Sequence, residues 1–153
     1  MTLGRKVLFF VALSLMVCVP AAMAKSPPKQ SAAGDNEIAE SLVNQTLSNI
    51  EATHKRRNVQ EFMVFLDKDY GARLKFADRI QSQFISAKEL EIRFVTDTVL
   101  TKGNKVSVRL HWLKKTVDNS GLSGKAQGAC RFVFKKHLEG LKLLYIRGDN
   151  PFF

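Results

Sequence analysis

Cysteine and histidine are both scarce in this sequence of 153 residues. Its two cysteines are Cys18 and Cys130. Cys18 lies in an N-terminal segment that we expect to be removed, so no intramolecular disulfide is predicted. The spacings of His54, His111 and His137 match no template for a bound metal ion, and Cys130 lies in a predicted strand, where a buried inert thiol is favoured over a nucleophile. The sequence therefore predicts no metal site.

No apolar run is long enough to cross a bilayer. The N-terminal run at residues 7–19 has 13 residues, whereas a spanning helix needs about 20. Small residues at Ala22 and Ala24 complete the pattern of a secretory signal peptide over residues 1–24. We expect cleavage after Ala24, a periplasmic or secreted protein and no stable membrane insertion. The alternative is a lipoprotein with its lipid on Cys18, although Val17 stands where a small residue is expected.

Acidic residues are few. The chain has 24 Lys and Arg against 14 Asp and Glu, a net charge of +10, and the predicted leader carries only two of these cations, Arg5 and Lys6. In an exported protein this charge favours anionic lipids, envelope polymers or acidic small molecules as partners, rather than nucleic acid. The alternative is a basic, soluble surface with no partner.

The common nucleotide and hydrolase motifs are absent. No glycine-rich loop follows a predicted strand, and the sequence contains no Gly-x-Ser-x-Gly. No cofactor is therefore predicted.

The part of the chain after the leader divides into helices followed by strands. Residues 25–34 are polar and contain Pro27 and Pro28, which predicts a flexible lead-in to a single domain at residues 35–153. Helical periodicity predicts three helices, the first starting at Asp35 or Asn36 and ending in the basic residues 54–57, the second at 59–66 and the third at 72–87. The apolar stripes of the first and third helices are Ile38, Leu42, Val43, Leu47 and Ile50, and Leu74, Ala77, Ile80, Phe84 and Ile85.

The second half of the chain has strand periodicity. Two hairpins are predicted from residues 91–100 with 105–117, and from 125–136 with 141–147, separated by a polar loop at 118–124. Helices followed by antiparallel strands predict an α+β fold, with three N-terminal helices packed on one face of a strongly curved sheet.

This pattern resembles one known superfamily. The short second helix ends in Phe-x-x-Phe-Leu-x-x-x-Tyr, formed by Phe62, Phe65, Leu66 and Tyr70, and the closing hairpin is rich in Phe, Val and Leu. The chain resembles the nuclear transport factor 2-like superfamily (the SnoaL-like, cystatin-type cone) and looks like an exported bacterial member, although Leu141 stands where many members have tryptophan. The resemblance implies a cone-shaped fold, a pocket behind the helices and a homodimer through the outer sheet face. It implies no single function, because members include isomerases, dehydratases, binders and inert partners.

A register for the first hairpin predicts a polar cluster. A three-residue loop at 102–104 would place Ile92, Phe94 and Leu100 on the face of Val106, Val108, Leu110 and Trp112. Asp97 would then lie opposite Arg109 with His111 nearby. Asp97 and His111 are the candidate catalytic residues for acid-base chemistry, although a cross-strand ion pair is the simpler interpretation. A two-residue loop would dissolve the cluster.

Three functions are compatible with these observations. The preferred one is a non-catalytic exported domain that binds a small apolar or anionic molecule in its cone. The second is an isomerase or dehydratase, and the third is a basic interaction module for an envelope protein or polymer, with Lys114, Lys115, Lys135 and Lys136 as a patch if their strands are adjacent. The candidate ligand-binding residues are Tyr70, Arg93, Arg109, His111, Trp112 and Tyr145.

The tripeptide Arg147-Gly148-Asp149 matches a known adhesion motif. Alternation along the last strand predicts instead that Arg147 is the end of a strand buried on both faces, followed by a turn. We therefore expect no adhesion function from it.

Overall fold

The computed structural model describes residues 31–153, with side chains from residue 36 onward. The predicted signal peptide and residues 25–30 of the predicted lead-in lie outside the described residues. The four strands form one antiparallel sheet in the order β1-β2-β3-β4, so the α+β prediction is confirmed. The elements are α1 (Ser31–Arg56), α2 (Val59–Met63), α3 (Arg73–Ser86), β1 (Ala87–Lys102), β2 (Lys105–Asp118), β3 (Ser123–His137) and β4 (Gly140–Gly148).

Helix α1 begins earlier than predicted. It starts at Ser31 rather than at Asp35 or Asn36, so residues 31–34 belong to the helix. Its buried apolar stripe packs along β1 on one face of the sheet, and each buried aliphatic side chain there contributes about 1.5–3 kcal/mol. The stripe is Ala39, Val43, Leu47 and Ile50. Ile38 was predicted to belong to it but is exposed, because it lies one position off the repeat.

The segment after α2 joins the sheet. The helix ends at Met63, three residues earlier than predicted. Leu66 then forms a parallel bridge with Leu143. The Asp67 amide donates to the Leu143 carbonyl at 2.8 Å, and the Leu143 amide donates to the Phe65 carbonyl at 2.7 Å. These bonds cover part of the free edge of β4. Without them, unpaired backbone N–H and C=O groups of this edge strand would be open to pairing with other chains.

The predicted stripe of α3 is partly wrong. Phe76, Ile80 and Phe84 are buried at a regular spacing of four residues, whereas Leu74 and Ile85 are exposed. The rule of one face per 3.6 residues is kept, but the face that packs inward is the one that carries the two phenylalanines.

The first hairpin differs from the prediction at its turn and agrees beyond a bulge. Lys102 pairs with Lys105, so the loop has two residues, and Leu100 is exposed. A β-bulge at Asp97, between the pairs Thr96–Leu110 and Thr98–Arg109, then shifts the register by one residue. One extra residue on one strand reverses which side chains point inward.

Beyond the bulge, Phe94 lies opposite Trp112 and Val95 opposite His111. Ile92 and Phe94 therefore do face the helices with Trp112, as predicted. On the hairpin side of the bulge, Val99 takes the inward position that was predicted for Leu100.

The space between helices and sheet is filled by aromatic rings. Phe152, from the C-terminal residues, has no exposed surface. Its ring lies 5.0 Å from that of Phe62 and 6.0 Å from that of Phe132, distances typical of packed aromatic pairs. Phe76, Phe84, Phe94 and His54 complete the cluster.

The Arg147-Gly148-Asp149 tripeptide is part of the sheet. Arg147 pairs with Arg131 and is exposed, so the strand is not, as was predicted, buried on both faces at its end. A bulge between the pairs of Val133 and Phe134 shifts the register within β4. Gly148 has a φ of 93°, and a Cβ there would lie 2.9 Å from the Ala129 carbonyl oxygen. The motif is therefore built into the β3–β4 edge rather than displayed on a loop tip.

Candidate functional site

The predicted ligand-binding residues divide between the two faces of the sheet. Arg93, Arg109 and His111 are exposed on the outer face, away from the helices, and Tyr145 is half-buried there opposite Val133. Trp112 lies on the inner face. The structure therefore does not gather these residues around one cavity.

The two inner aromatic candidates are occupied by other contacts. The Trp112 indole Nε1 donates to the Asp149 carbonyl at 2.9 Å. The Tyr70 ring lies edge-on to Phe76 with centroids 5.0 Å apart, and burial raises the pKa of the Tyr70 phenol to about 12. Both side chains are part of the packing that closes the cone.

The two candidate catalytic residues do contact each other. Asp97, on the bulge of β1, places a carboxylate oxygen 3.0 Å from His111 Nδ1. The predicted partner of Asp97 was Arg109. Asp97 lies at the bulge, however, and its carboxylate contacts His111 instead. The His111 side chain is 64% exposed, so this pair lies on an open surface rather than in an enclosed pocket.

One polar group is sealed inside the aromatic cluster. His54 is fully buried, and neither ring nitrogen has a hydrogen-bond partner within the described residues. Burial lowers the pKa of His54 to about 4. The Gln83 side chain raises this pKa, and the positive charge of Lys114 lowers it further. His54 is therefore neutral at pH 7 and adds no positive charge to the basic residues 54–57 at the end of α1.

Three arginines form a row across the outer face. Arg109 of β2 pairs directly with Arg131 of β3, which pairs directly with Arg147 of β4. Directly opposed residues have Cα atoms about 4.5–5.5 Å apart, and all three side chains are exposed. Within residues 36–153, none of the three forms an ion pair.

The arginine row places three positive charges side by side on this face. Like charges directly opposite in a sheet are destabilising, so the row is unfavourable without an anion. The Arg147 guanidinium lies 5.1 Å from the centroid of Tyr145, a cation–π distance that holds it over the face. Guanidinium groups bind phosphate and carboxylate groups through paired hydrogen bonds. Of the three, only Arg109 was a predicted binding residue, because no register was predicted for β3 and β4.

The predicted lysine patch is wrong. β2 and β3 are adjacent, but their antiparallel register places Lys115 opposite Lys125 and Lys135 opposite Lys105. The two predicted pairs therefore lie near opposite ends of the sheet. Lys114 faces inward and is 8% exposed, and burial lowers the pKa of its amine.

Lys135 is already neutralised within the Asp67 clip, a cluster formed by Asp67, Asp69, Lys135 and His137. Its Nζ lies 2.9 Å from Asp69 and 3.9 Å from Asp67. Asp67 is buried, accepts from the Asp69 amide at 2.9 Å and contacts His137 Nε2 at 2.6 Å. Burial alone would raise the pKa of the Asp67 carboxyl, but these hydrogen bonds and the Lys135 charge outweigh it and lower the pKa.

A second basic feature lies at the end of the outer face that is far from the β1–β2 turn. A trough of about 400 Å³ lies there, lined among others by Arg93, Leu113, Lys115, Lys125 and Gln127. A neighbouring hollow of about 380 Å³ continues around the end of the sheet, where it also takes in Lys55 of α1, Arg57 of the α1–α2 connection and Lys88 of β1.

The fold of this chain is shared by many solved structures. A nuclear transport factor 2-like superfamily protein from Salmonella enterica serovar Typhimurium superposes with a TM-score of 0.64 over 75% of this chain and 92% of its own, at 9% sequence identity. The chain has the nuclear transport factor 2-like fold. The resemblance seen in the sequence is thereby confirmed for the fold.

Two further structures show the range of proteins that share the nuclear transport factor 2-like fold. A candidate dehydratase of this family from Streptomyces avermitilis has a TM-score of 0.63 and 11% identity, over 73% of this chain and 96% of its own. A conserved protein from Planctomyces limnophilus has a TM-score of 0.64 and 12% identity, over 74% of this chain and 99% of its own. At these identities the likeness concerns the fold alone.

The sequence itself matches no known protein-family model and no curated protein. Within the part of the chain that the structure describes, no helix is long and apolar enough to cross a membrane, and no three His, Cys, Asp or Glu side chains cluster as metal ligands would. The nuclear transport factor 2-like fold therefore gives the architecture of the chain and does not by itself give its function.

Proposed function

We propose that this chain is an exported, non-catalytic module that binds an anionic polymer of the cell envelope through the outer face of its sheet. The observation that carries the proposal is the row Arg109–Arg131–Arg147, three directly opposed cations with no ion pair among the described residues. An anionic polymer would relieve the repulsion within the row on binding, which turns an unfavourable feature of the free protein into affinity.

The interior of the cone supports the same function by leaving little room for the alternative. A small ligand in the cone was the preferred prediction from the sequence. Phe152, Phe62 and Phe132 occupy that space and have relative exposures of 0–1%. A pocket filled by phenylalanine side chains favours an interaction module over a cone-binding domain.

The test is a binding titration with linear polyphosphate, and with neutral dextran as the control polymer. We expect polyphosphate binding that weakens steeply as salt rises, since exposed charges are screened, and no binding of dextran. Arg131→Glu should lower the affinity about tenfold or more, which corresponds to about 1.4 kcal/mol.

A matched control separates the row from the overall charge. Lys75→Glu makes the same change of charge at an exposed position of α3, away from the outer face, and should change the affinity less than Arg131→Glu does. Equal losses in the two variants, or polyphosphate binding that does not respond to salt, would show that the row is not the binding site.

The pair Asp97–His111 favours a second candidate, an acid-base enzyme of the dehydratase type. A histidine oriented by a carboxylate is a competent general base, but the pair lies on an open surface. Proton abstraction from 5-nitrobenzisoxazole is a direct probe of such a base. A rate above that of free imidazole at equal concentration, lost in Asp97→Asn, would favour the enzyme; our proposal expects no such excess.

A further inference from the structure

The trough on the outer face differs in character from the arginine row. It is formed by β1, β2 and β3 at the end of the sheet where β2 and β3 approach their connecting loop, and its volume of about 400 Å³ is within the range of small-molecule sites. The arginine row lies further along the strands, since Arg109 and Lys115 are six residues apart on β2. A rise of about 3.3 Å per residue separates the two by about 20 Å.

The rim of the trough is cationic. Lys115 lies directly opposite Lys125, and neither lysine forms an ion pair within residues 36–153. Glu91 also lines the trough and lies opposite Lys115 on β1. Its carboxylate is bonded to Arg93 at 3.1 Å, and its pKa is lowered mainly by Arg93 and to a smaller extent by the charge of Lys115. Two opposed ammonium groups therefore remain at the rim with no carboxylate bonded to either.

The wall of the trough is mostly apolar. Leu113, which lies on β2 between Arg109 and Lys115, is 51% exposed. Val95 does not line the trough, but it is 55% exposed on the same face of β1 and lies opposite His111, two residues from Leu113. A purely polar anion would leave this aliphatic surface in water, so the trough is better matched to a molecule with an apolar body.

We propose that the trough binds an amphipathic anion, with an acidic headgroup between Lys115 and Lys125 and an apolar chain over Leu113. The proposal deepens the proposed function, and rests on it, because it names a second chemical element of the partner on the same face. An acidic polymer that ends in a lipid would engage the arginine row and the trough together. Two opposed ammonium groups suit a phosphate headgroup, since each can donate several hydrogen bonds to one dianion.

The probe is dihexanoyl phosphatidate below its micelle concentration, added to the purified protein and followed by calorimetry and amide chemical shifts. Dihexanoyl phosphatidylcholine has the same chains without net charge, and inorganic phosphate has the acidic head without chains. We expect saturable binding of phosphatidate, with shifts at Leu113, Lys125 and Gln127, and binding at least fivefold weaker for the other two molecules.

Matched variants locate the site. Leu113→Ser and Lys125→Gln should each weaken phosphatidate binding about fivefold or more. Leu100→Ser and Lys102→Gln make the same changes at exposed positions beside the β1–β2 turn, at the other end of the sheet, and should change it less than twofold.

The outcomes separate the two proposals. If phosphatidylcholine or inorganic phosphate binds as tightly as phosphatidate, or if Leu113→Ser binds normally, the trough is not an amphiphile site. If polyphosphate binds through Arg131 while phosphatidate does not bind, the inference about the trough is wrong and the proposed function stands. If phosphatidate binds at the trough but Arg131→Glu leaves polyphosphate binding unchanged, the inference about the trough stands and the arginine row is not the polymer site.

Discussion

The ring of Phe152 lies 5.7 Å from the imidazole of His54, and neither side chain has any exposed surface. The C-terminal residues thus reach back into the space between α1 and the sheet and close it with an aromatic side chain. This contact helps to fill the cone, so that little room is left for a ligand. It makes Phe152 part of the core, and Phe153 is partly buried against that core.

Truncation of Phe152 should cost more stability than most single changes. Phe152→Ala removes a fully buried ring that contacts Phe62, Phe76, Phe94 and Phe132, so the free energy of unfolding should fall by about 3–5 kcal/mol. Urea denaturation measures the loss. Leu138→Ala, at a fully exposed residue of the β3–β4 turn, should leave the stability unchanged; a loss below about 1 kcal/mol for Phe152→Ala would mean that the C-terminal residues do not pack as described.

His54 should make the stability depend on pH in the mildly acidic range. The pKa of His54 is about 4 in the folded protein, whereas an unburied histidine has a pKa of 6.5. The unfolded state therefore binds the proton more tightly. The stability should be highest above pH 6.5, fall as the pH drops towards 4 and level off below that, a total loss of roughly 3 kcal/mol. Unfolding free energies measured across this range give the slope.

The control for that slope is His54→Leu, compared by slope rather than by absolute stability. The variant removes the group that titrates and keeps an apolar side chain in the aromatic cluster. Its unfolding free energy should vary much less between pH 6.5 and 4. A slope equal to that of the original protein would assign the pH dependence to other groups.

The order of elements was predictable because periodicity is a local property. The switch from a spacing of 3.6 residues to one of 2 separates helices from strands near residue 87, and the structure places the α3–β1 boundary there. The faces of α1 and α3 were less predictable. Leu74 and Ile85 are as apolar as the residues that pack, and only the position of the sheet decides which face is buried.

The register of the first hairpin shows why the site was only partly predictable. The alternation of apolar residues placed Phe94 and Trp112 on one face, and this prediction is correct. The three-residue loop that was predicted to produce this register is wrong. A two-residue loop combined with a bulge at Asp97 gives the same pairing beyond the bulge. No local pattern distinguishes the two solutions, because each adds one residue to the same strand.

The clip centred on Asp67 should stabilise the β3–β4 hairpin against the α2–α3 connection. Asp67→Asn removes the charge that His137 and Lys135 contact, and the free energy of unfolding should fall by about 1–3 kcal/mol at pH 7. Because the folded pKa of this carboxyl is lowered, its contribution is present above the unfolded value and is lost as the pH falls through the folded one. Thermal or urea unfolding at pH 7 measures the loss.

Asp69→Asn is the control for the clip. Asp69 also contacts Lys135, but its side chain is 53% exposed, and exposed pairs contribute about 0–1 kcal/mol. The two asparagine variants should therefore differ clearly in stability. Equal effects would show that burial of Asp67 does not strengthen its contacts.

Removal of the central charge of the arginine row should stabilise the free protein while it weakens binding. Arg131→Gln keeps a long polar side chain but ends the repulsion with Arg109 and Arg147, so at low salt the free energy of unfolding should rise by about 0.2–1 kcal/mol. The gain should shrink as salt rises, since these charges are exposed and screened. Lys75→Gln removes one charge from α3 and should give no comparable gain. Stability and polyphosphate affinity that move in opposite directions in Arg131→Gln would identify the row as a feature kept for binding; a loss of stability at low salt would show that the three guanidinium groups support the sheet instead.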